Sequence, residues 1–294
     1  MITFMDLGSF GRLGNQLFQY AALKSLCLTK GFEARIPEYK NKKWHGQKCL
    51  LDNFQLECDS VTHKEARSKI KFFYEEAQHK DMRYDHSLLT VTDNTNIIGY
   101  FQDLDYFTPH EGQIRKEFRL KKELNEHALE RINKMKNDTG CDIVSLHVRR
   151  GDQTDGTNLE AVNFYGKNNV LSDDSVYGRY LVKAKSQFSR QRVKFLIFSG
   201  GSRNGEDNIS DLEWCRKNFT GDEYLFSDGN KTIEDFALMR NCDHNITCHS
   251  TTFGWWAAYL NDNPEKIVIA PRYYDMCDQK IERKNFYPKN WILI

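Results

Sequence analysis

Hydrophobic positions divide the chain into two differently patterned stretches. At the start, an apolar run from Ile2 to Leu7 predicts a strand; a glycine-bearing turn and "NQLFQYAALKSLCLTKG" follow. That segment carries apolar residues around most of its circumference, as a buried helix does, and Gly31 is placed to end it. A short apolar strand is expected around "NIIGYF", and "KKELNEHALERINKMKN" reads as a charged helix with Leu124, Ala128, Leu129 and Ile132 on one stripe. From Cys141 onward the pattern is regular. Short β-rich runs, "DIVSLHV", "VKFLIFS", "DEYLFS", "HNITCHS" and "KIVIAP", alternate with helical segments, "DDSVYGRYLVKAKSQFSR", "DNISDLEWCRKNF", "TIEDFALMRNC" and "TTFGWWAAYL". Such alternation predicts an α/β fold with a parallel sheet covered by helices on both faces, and a ligand site beyond the carboxyl ends of the strands.

Length and composition narrow the classes. The 294 residues allow one large domain or two ordinary ones, with no Pro/Gly/Ser-rich linker and no internal repeat. The net charge of +1 and the lack of a basic stripe with interleaved aromatics argue against nucleic acid as a partner. No apolar run is long enough for a transmembrane segment, and "ITFMDL" after Met1 has no signal-peptide layout, so the expected location is cytoplasmic. The 8 cysteines form neither CxxC pairs nor zinc spacings and read as free thiols.

Chemistry concentrates at strand ends. In "SLHVRRGD", Arg149 and Arg150 end a buried strand beside His147 and Asp152; arginine forks match phosphate oxygens, whereas the plain alternative is a structural ion pair. In "CHSTTFGWWAAYL", Ser250, Thr251 or Thr252 is expected to cap a helix whose first N–H groups favour an anion, with Trp255 and Trp256 in the core. "GRLGNQ", with Gly14, Asn15 and Gln16, resembles a phosphate loop but matches neither GxGxxG nor GxxxxGK[ST]; a strand-to-helix turn that needs glycine accounts for it equally. "DLD", Asp103 to Asp105, fits a metal-binding D-x-D pattern, but acids at a helix start suit capping, and no metal is expected.

Taken in order and spacing, "GRLGNQLFQYA", "GYFQDLDYF", "HVRRGD" and "CHSTTFGWWAAYL" resemble the motifs of glycosyltransferase family 11, largely alpha-1,2-fucosyltransferases using GDP-fucose, over nearly the whole chain. The resemblance implies a GT-B fold: two facing Rossmann-like domains, set here at 1–140 (acceptor side) and 141–294 (GDP-fucose side). It implies that Arg149 and Arg150 hold the diphosphate, that His147 lies near the nucleoside, and that Ser250, Thr251 and Thr252, with Gly14, Asn15 and Gln16, contact the donor. Asp235, eight residues before Asp243, would take the guanine amino edge. Transfer would invert the anomeric centre without metal or other cofactor, Asp152 taking the acceptor proton or else orienting an arginine, with Asp155 and Glu160 in reserve. The family often has serine where Gly254 stands, a difference expected to matter little. The position of "GRLGNQ" near the start resembles bacterial enzymes of surface-polysaccharide assembly, which implies a galactoside-terminated glycan or lipid-linked oligosaccharide as acceptor and association with the inner face of the cell membrane. The alternatives are a fucosyltransferase of another linkage or acceptor class, and a non-catalytic GDP-sugar-binding protein.

Overall fold

The computed structural model describes residues 1–38, 43–44, 47–77, 79, 81–151, 154, 164–166, 170–200, 209–274, 282–283 and 285–294. The chain divides into two units, Met1–Lys121 with Arg283–Pro288, and Lys122–Glu282 with Lys289–Ile294. Both are parallel α/β structures, which agrees with the two Rossmann-like domains expected.

In the first unit, β1 (Ile2–Thr3) leads into α1 (Leu13–Lys30), then β2 (Ala34–Pro37), a small antiparallel pair β3 (Lys43–Trp44) and β4 (Gln47–Lys48), and β5 (Asp59–Val61). Helix α2 (His63–Lys69), β6 (Phe72–Glu75), β7 (Thr95–Ile98) and α3 (Glu111–Glu117) follow. The sheet runs β5-β2-β1-β7-β6, all parallel. The first strand is shorter than the apolar run Ile2–Leu7, because Asn96 Oδ1 takes the Met5 N–H at 2.8 Å and the chain turns, Leu7 N–H donating to the Phe4 carbonyl. Helix α1 is buried on most sides, as its pattern predicts, and ends at Gly31 with φ 70°, whose N–H returns to the Cys27 carbonyl.

The second unit holds α4 (Lys122–Thr139), β8 (Asp142–Val148), α5 (Val176–Ser186), β9 (Val193–Ser199), α6 (Ile209–Asn218), β10 (Tyr224–Phe226), α7 (Thr232–Asn241), β11 (His244–Ile246), α8 (Phe253–Tyr259), β12 (Val268–Ala270) and β13 (Ile292–Leu293). Six of the seven β8 residues are buried, as befits a central strand covered on both faces. The parallel sheet runs β10-β9-β8-β11-β12-β13, which in order of appearance is the 3-2-1-4-5-6 arrangement of a doubly wound nucleotide-binding sheet. Its switch point lies between β8 and β11.

The division falls at Lys121/Lys122 rather than at 140. Helix α4 stays with the second unit because Asn125 accepts from Asn241 Nδ2 at 3.1 Å, Arg131 donates to Asn230 at 2.6 Å, and Lys136 pairs with Asp142 and Asp243. Ala128 and Ile132 face inward as expected, whereas Leu129 is exposed. Arg283–Pro288 belongs to the first unit: Phe286 stacks on Phe18 at 5.9 Å, Arg283 donates to Gln102 at 2.8 Å, and Asn285 donates to Asp103 at 2.6 Å. Among the described residues the cysteines are free thiols, and no helix is long and apolar enough to cross a membrane.

Candidate functional site

The carboxyl edge of the second sheet gathers most of the polar residues singled out above. "HVRRG" leaves β8 and "TCHSTT" leaves β11, the two strands flanking the switch point. Ser227 follows β10, and Asp235 stands in the first turn of α7.

Asp235 is 7% exposed. Its Oδ1 accepts from Ser227 Oγ at 2.7 Å and from Asn230 Nδ2 at 3.0 Å, and Arg131 holds the Asn230 amide from the other side. Burial pushes this carboxyl up to about 7, against the two hydrogen bonds, which pull it down. Oδ2 has no hydrogen bond among the described residues. A buried carboxylate braced on one oxygen and open on the other is suited to a neutral two-donor edge. Ser227 and Asn230 were not legible beforehand; the signal available was polar residues directly after a β-run.

His147, next to last in β8, is buried, and burial holds its imidazole down at about 3, with a smaller contribution from the Arg149 charge, so the ring is neutral. It leans on Phe253, which packs edge-on against Phe236 beside Asp235. Among the described residues its Nδ1 has no hydrogen-bond partner, and it faces Gly254, where an added Cβ would lie 2.7 Å from that nitrogen. The glycine at 254 therefore has a spatial role, contrary to the expectation that it matters little.

The adjacent arginines have different surroundings. Arg149 is half-buried. Arg150 is 5% exposed; its guanidinium lies 3.8 Å from the Trp214 ring centroid and 5.2 Å from that of Tyr165. Its Nε is 3.3 Å from Asp211 Oδ1, without a directed hydrogen bond, and Asp211 Oδ2 accepts the Gly151 N–H at 3.0 Å. Asp152, Asp155 and Glu160 lie outside the described residues.

The hydroxyl cluster differs from expectation. Thr252 occupies the N-cap position of α8, but its side chain makes no cap hydrogen bond. Ser250 adopts φ 50°, a left-handed conformation unfavourable for serine, and its N–H donates to the Tyr274 carbonyl at 2.6 Å. Thr251 is buried, and its Oγ1 has no partner among the described residues. A capping hydroxyl was expected from residue type; the tight turn held by Tyr274 prevails instead.

The remaining candidates belong to the first unit. Gln16 is buried, donating to the Gly11 carbonyl at 3.0 Å and accepting from Leu50 N at 3.4 Å, so its amide braces the turn. Asn15 accepts from Gln102 at 2.9 Å, and Gly14 is buried inside α1. Gly11 has φ 94° and no room for a Cβ, which would sit 2.6 Å from the Asn15 Cβ. These contacts favour the glycine-requiring turn over a phosphate loop. Asp103 caps a single 3-10 turn through Oδ1 to Asp105 N at 2.9 Å, while its Oδ2 accepts from Tyr84 N at 3.2 Å. Among the described residues no group of three His, Cys, Asp or Glu is placed to hold a metal ion.

Relatives share this chain over most of its length. An alpha-1,2-colitosyltransferase of Escherichia coli is 26% identical over 312 residues, covering 97% of this chain and 96% of its own. Galactoside alpha-(1,2)-fucosyltransferase 2 of Mus musculus is 30% identical over 267 residues, covering 86% of this chain and 67% of its own. The O-antigen biosynthesis glycosyltransferase WbnK of Escherichia coli is 25% identical over 301 residues, covering 89% and 92%. Among solved structures, POFUT1 in complex with GDP-fucose aligns at TM-score 0.47 and 13% identity over 100% of this chain and 97% of its own. The family model for glycosyl transferase family 11 matches residues 2–294, and the chain belongs to that family.

Proposed function

We propose that this glycosyltransferase moves L-fucose from GDP-fucose to the 2-hydroxyl of a terminal β-galactoside, with inversion, in the synthesis of a surface polysaccharide. The observation that carries the donor assignment is one sheet edge bearing a cation after β8, Arg149, and a braced, buried carboxylate at the start of α7, Asp235. Guanine offers N1–H and N2–H to a carboxylate, and adenine lacks that pair. The alpha-1,2 linkage and the polysaccharide setting are supported by the names of the relatives.

In this reading the acceptor 2-oxygen bonds to the anomeric carbon as the carbon–oxygen bond to the diphosphate breaks. GDP leaves with the bonding pair, and the hydroxyl proton passes to Asp152. Charge growing on the leaving diphosphate is met by Arg149, whose carbonyl Tyr165 holds, and Thr251, after the neighbouring strand β11, offers a buried hydroxyl without a partner among the described residues. No metal is needed for this. The colitosyltransferase relative favours a second reading, in which the donor is GDP-colitose, the 3-deoxy counterpart of GDP-fucose.

The test measures nucleotide binding and transfer on the same protein. GDP binds at least about tenfold more tightly than ADP, as a buried hydrogen-bonding pair requires; equal affinities would refute the guanine site. Transfer persists in excess EDTA, and loss of it would restore a metal requirement. Asp152→Asn retains GDP binding and loses transfer; retained transfer would pass the base role to Asp155 or Glu160.

A further inference from the structure

We infer that the two adjacent arginines divide their work: Arg149 alone engages the donor diphosphate, and Arg150 is a positioning residue that locks the loop from which Arg149 projects. This rests on the nucleoside-diphosphate reading of the site given above.

Arg149 and Arg150 follow the last residue of β8, and the first is half-buried whereas the second is buried. Arg150 is the one turned into the unit. Its guanidinium is enclosed by the Trp214 and Tyr165 rings and lies beside the nearly buried Asp211. The second oxygen of Asp211 holds the N–H of Gly151, the residue following Arg150, so side chain and backbone close into one ring of contacts. Arg150 also borders a cavity of about 420 Å³, but Asp211 and Glu213 line it together with Lys217, so the charges there balance and a diphosphate gains little.

The segment ahead of that lock is held just as firmly. Three successive carbonyls each accept a side-chain hydroxyl: His147 from Tyr177 at 3.0 Å, Val148 from Ser199 at 2.9 Å, and Arg149 from Tyr165. Tyr165 serves twice, its ring beside Arg150 and its hydroxyl on the Arg149 carbonyl. A backbone held at the carbonyls of His147, Val148 and Arg149 and at the Gly151 N–H presents Arg149 in one direction before any ligand arrives, which is the preorganisation that stabilises a leaving group.

The experiment compares Arg149→Ala, Arg150→Met, Asp211→Asn and the Arg150→Met/Asp211→Asn double variant. It reads GDP affinity, donor KM and kcat, melting temperature, and hydrogen exchange at the Gly151 amide. Arg149→Ala is expected to weaken GDP binding by about 30-fold or more, as loss of a charge-assisted contact does. Arg150→Met and Asp211→Asn each weaken it by a smaller, similar factor, and the double variant is no worse than the worse single one, because both remove the same lock. Both speed Gly151 exchange while the melting temperature stays within a few degrees.

The inference is overturned if Arg150→Met costs as much GDP affinity as Arg149→Ala while Asp211→Asn leaves affinity unchanged or raises it, the pattern of a direct phosphate ligand. It is equally overturned if Gly151 exchange is indifferent to Arg150→Met. Wild-type protein that binds no GDP would instead refute the donor reading, and the exchange measurement would still decide the lock.

Discussion

At the scale of single residues, the site depends on groups held in uncomfortable states. Asp235 is a carboxyl whose value in the folded protein, about 7, lies above that of the unfolded chain, so its ionised form is disfavoured by folding. Its contribution to the stability of the ligand-free protein is therefore fully present below the unfolded carboxyl's ordinary value of 3.8 and is lost as pH rises from there through about 7. Asp235→Asn removes that cost, and thermal unfolding at pH 8 should show the variant to be the more stable; a less stable variant would mean that the carboxylate is not penalised. Guanine binding needs the ionised form, so GDP affinity of the wild type should fall below pH 7 by up to about tenfold per pH unit. The Asp235→Asn slope, which carries only the titration of GDP itself, should lack this component. Gly254 gives a second test. Alanine normally improves a helix over glycine by about 1 kcal/mol, but here its Cβ would meet His147 Nδ1 at 2.7 Å. Gly254→Ala should destabilise by about 1–3 kcal/mol. Gly254→Ser, whose hydroxyl can donate to the bare nitrogen, should cost less; a better-tolerated alanine would show that His147 moves freely.

At the scale of elements, α5 anchors the ends of two strands. Tyr177 and Tyr180, one turn apart, donate to the carbonyls of His147 and Thr247, on either side of the switch point. The helix is set by Ser175, whose Oγ accepts the Gly178 N–H at 2.9 Å. Ser175→Ala should cost about 1 kcal/mol in chemical denaturation, and a neutral result would mean that the cap is not what seats α5. The long elements were legible because their hydrophobic period is their cause: α1, α4 and the runs that became β8 to β12 all form near their expected places. β2, β5 and β6 were not, because short segments such as "DSV" lie in no longer apolar run and take their conformation from ladder partners and not from their own pattern. The hydroxyl tethers were equally hidden, since each joins residues 16 to 67 positions apart.

For the whole molecule, the second unit's strand order explains why motifs a hundred residues apart lie at one sheet edge. "HVRRG" and "TCHSTT" flank the point where the order of the sheet reverses, and β10 brings Ser227 and Asp235 to the same edge. The sequence patterns showed alternation but not strand order, and so indicated that strand ends matter without telling which ends are neighbours. The paired arginines show the same limit at close range: charge and spacing identified them, and only packing against Trp214 and Asp211 separated their surroundings. The most direct test of the central claim is linkage analysis of the product formed from GDP-fucose and a terminal β-galactoside. The expected product is L-fucose joined through an alpha linkage to the galactose 2-oxygen, with GDP released in equal amount. A product linked elsewhere, or a protein that binds GDP-fucose but releases no GDP with any β-galactoside, would contradict it.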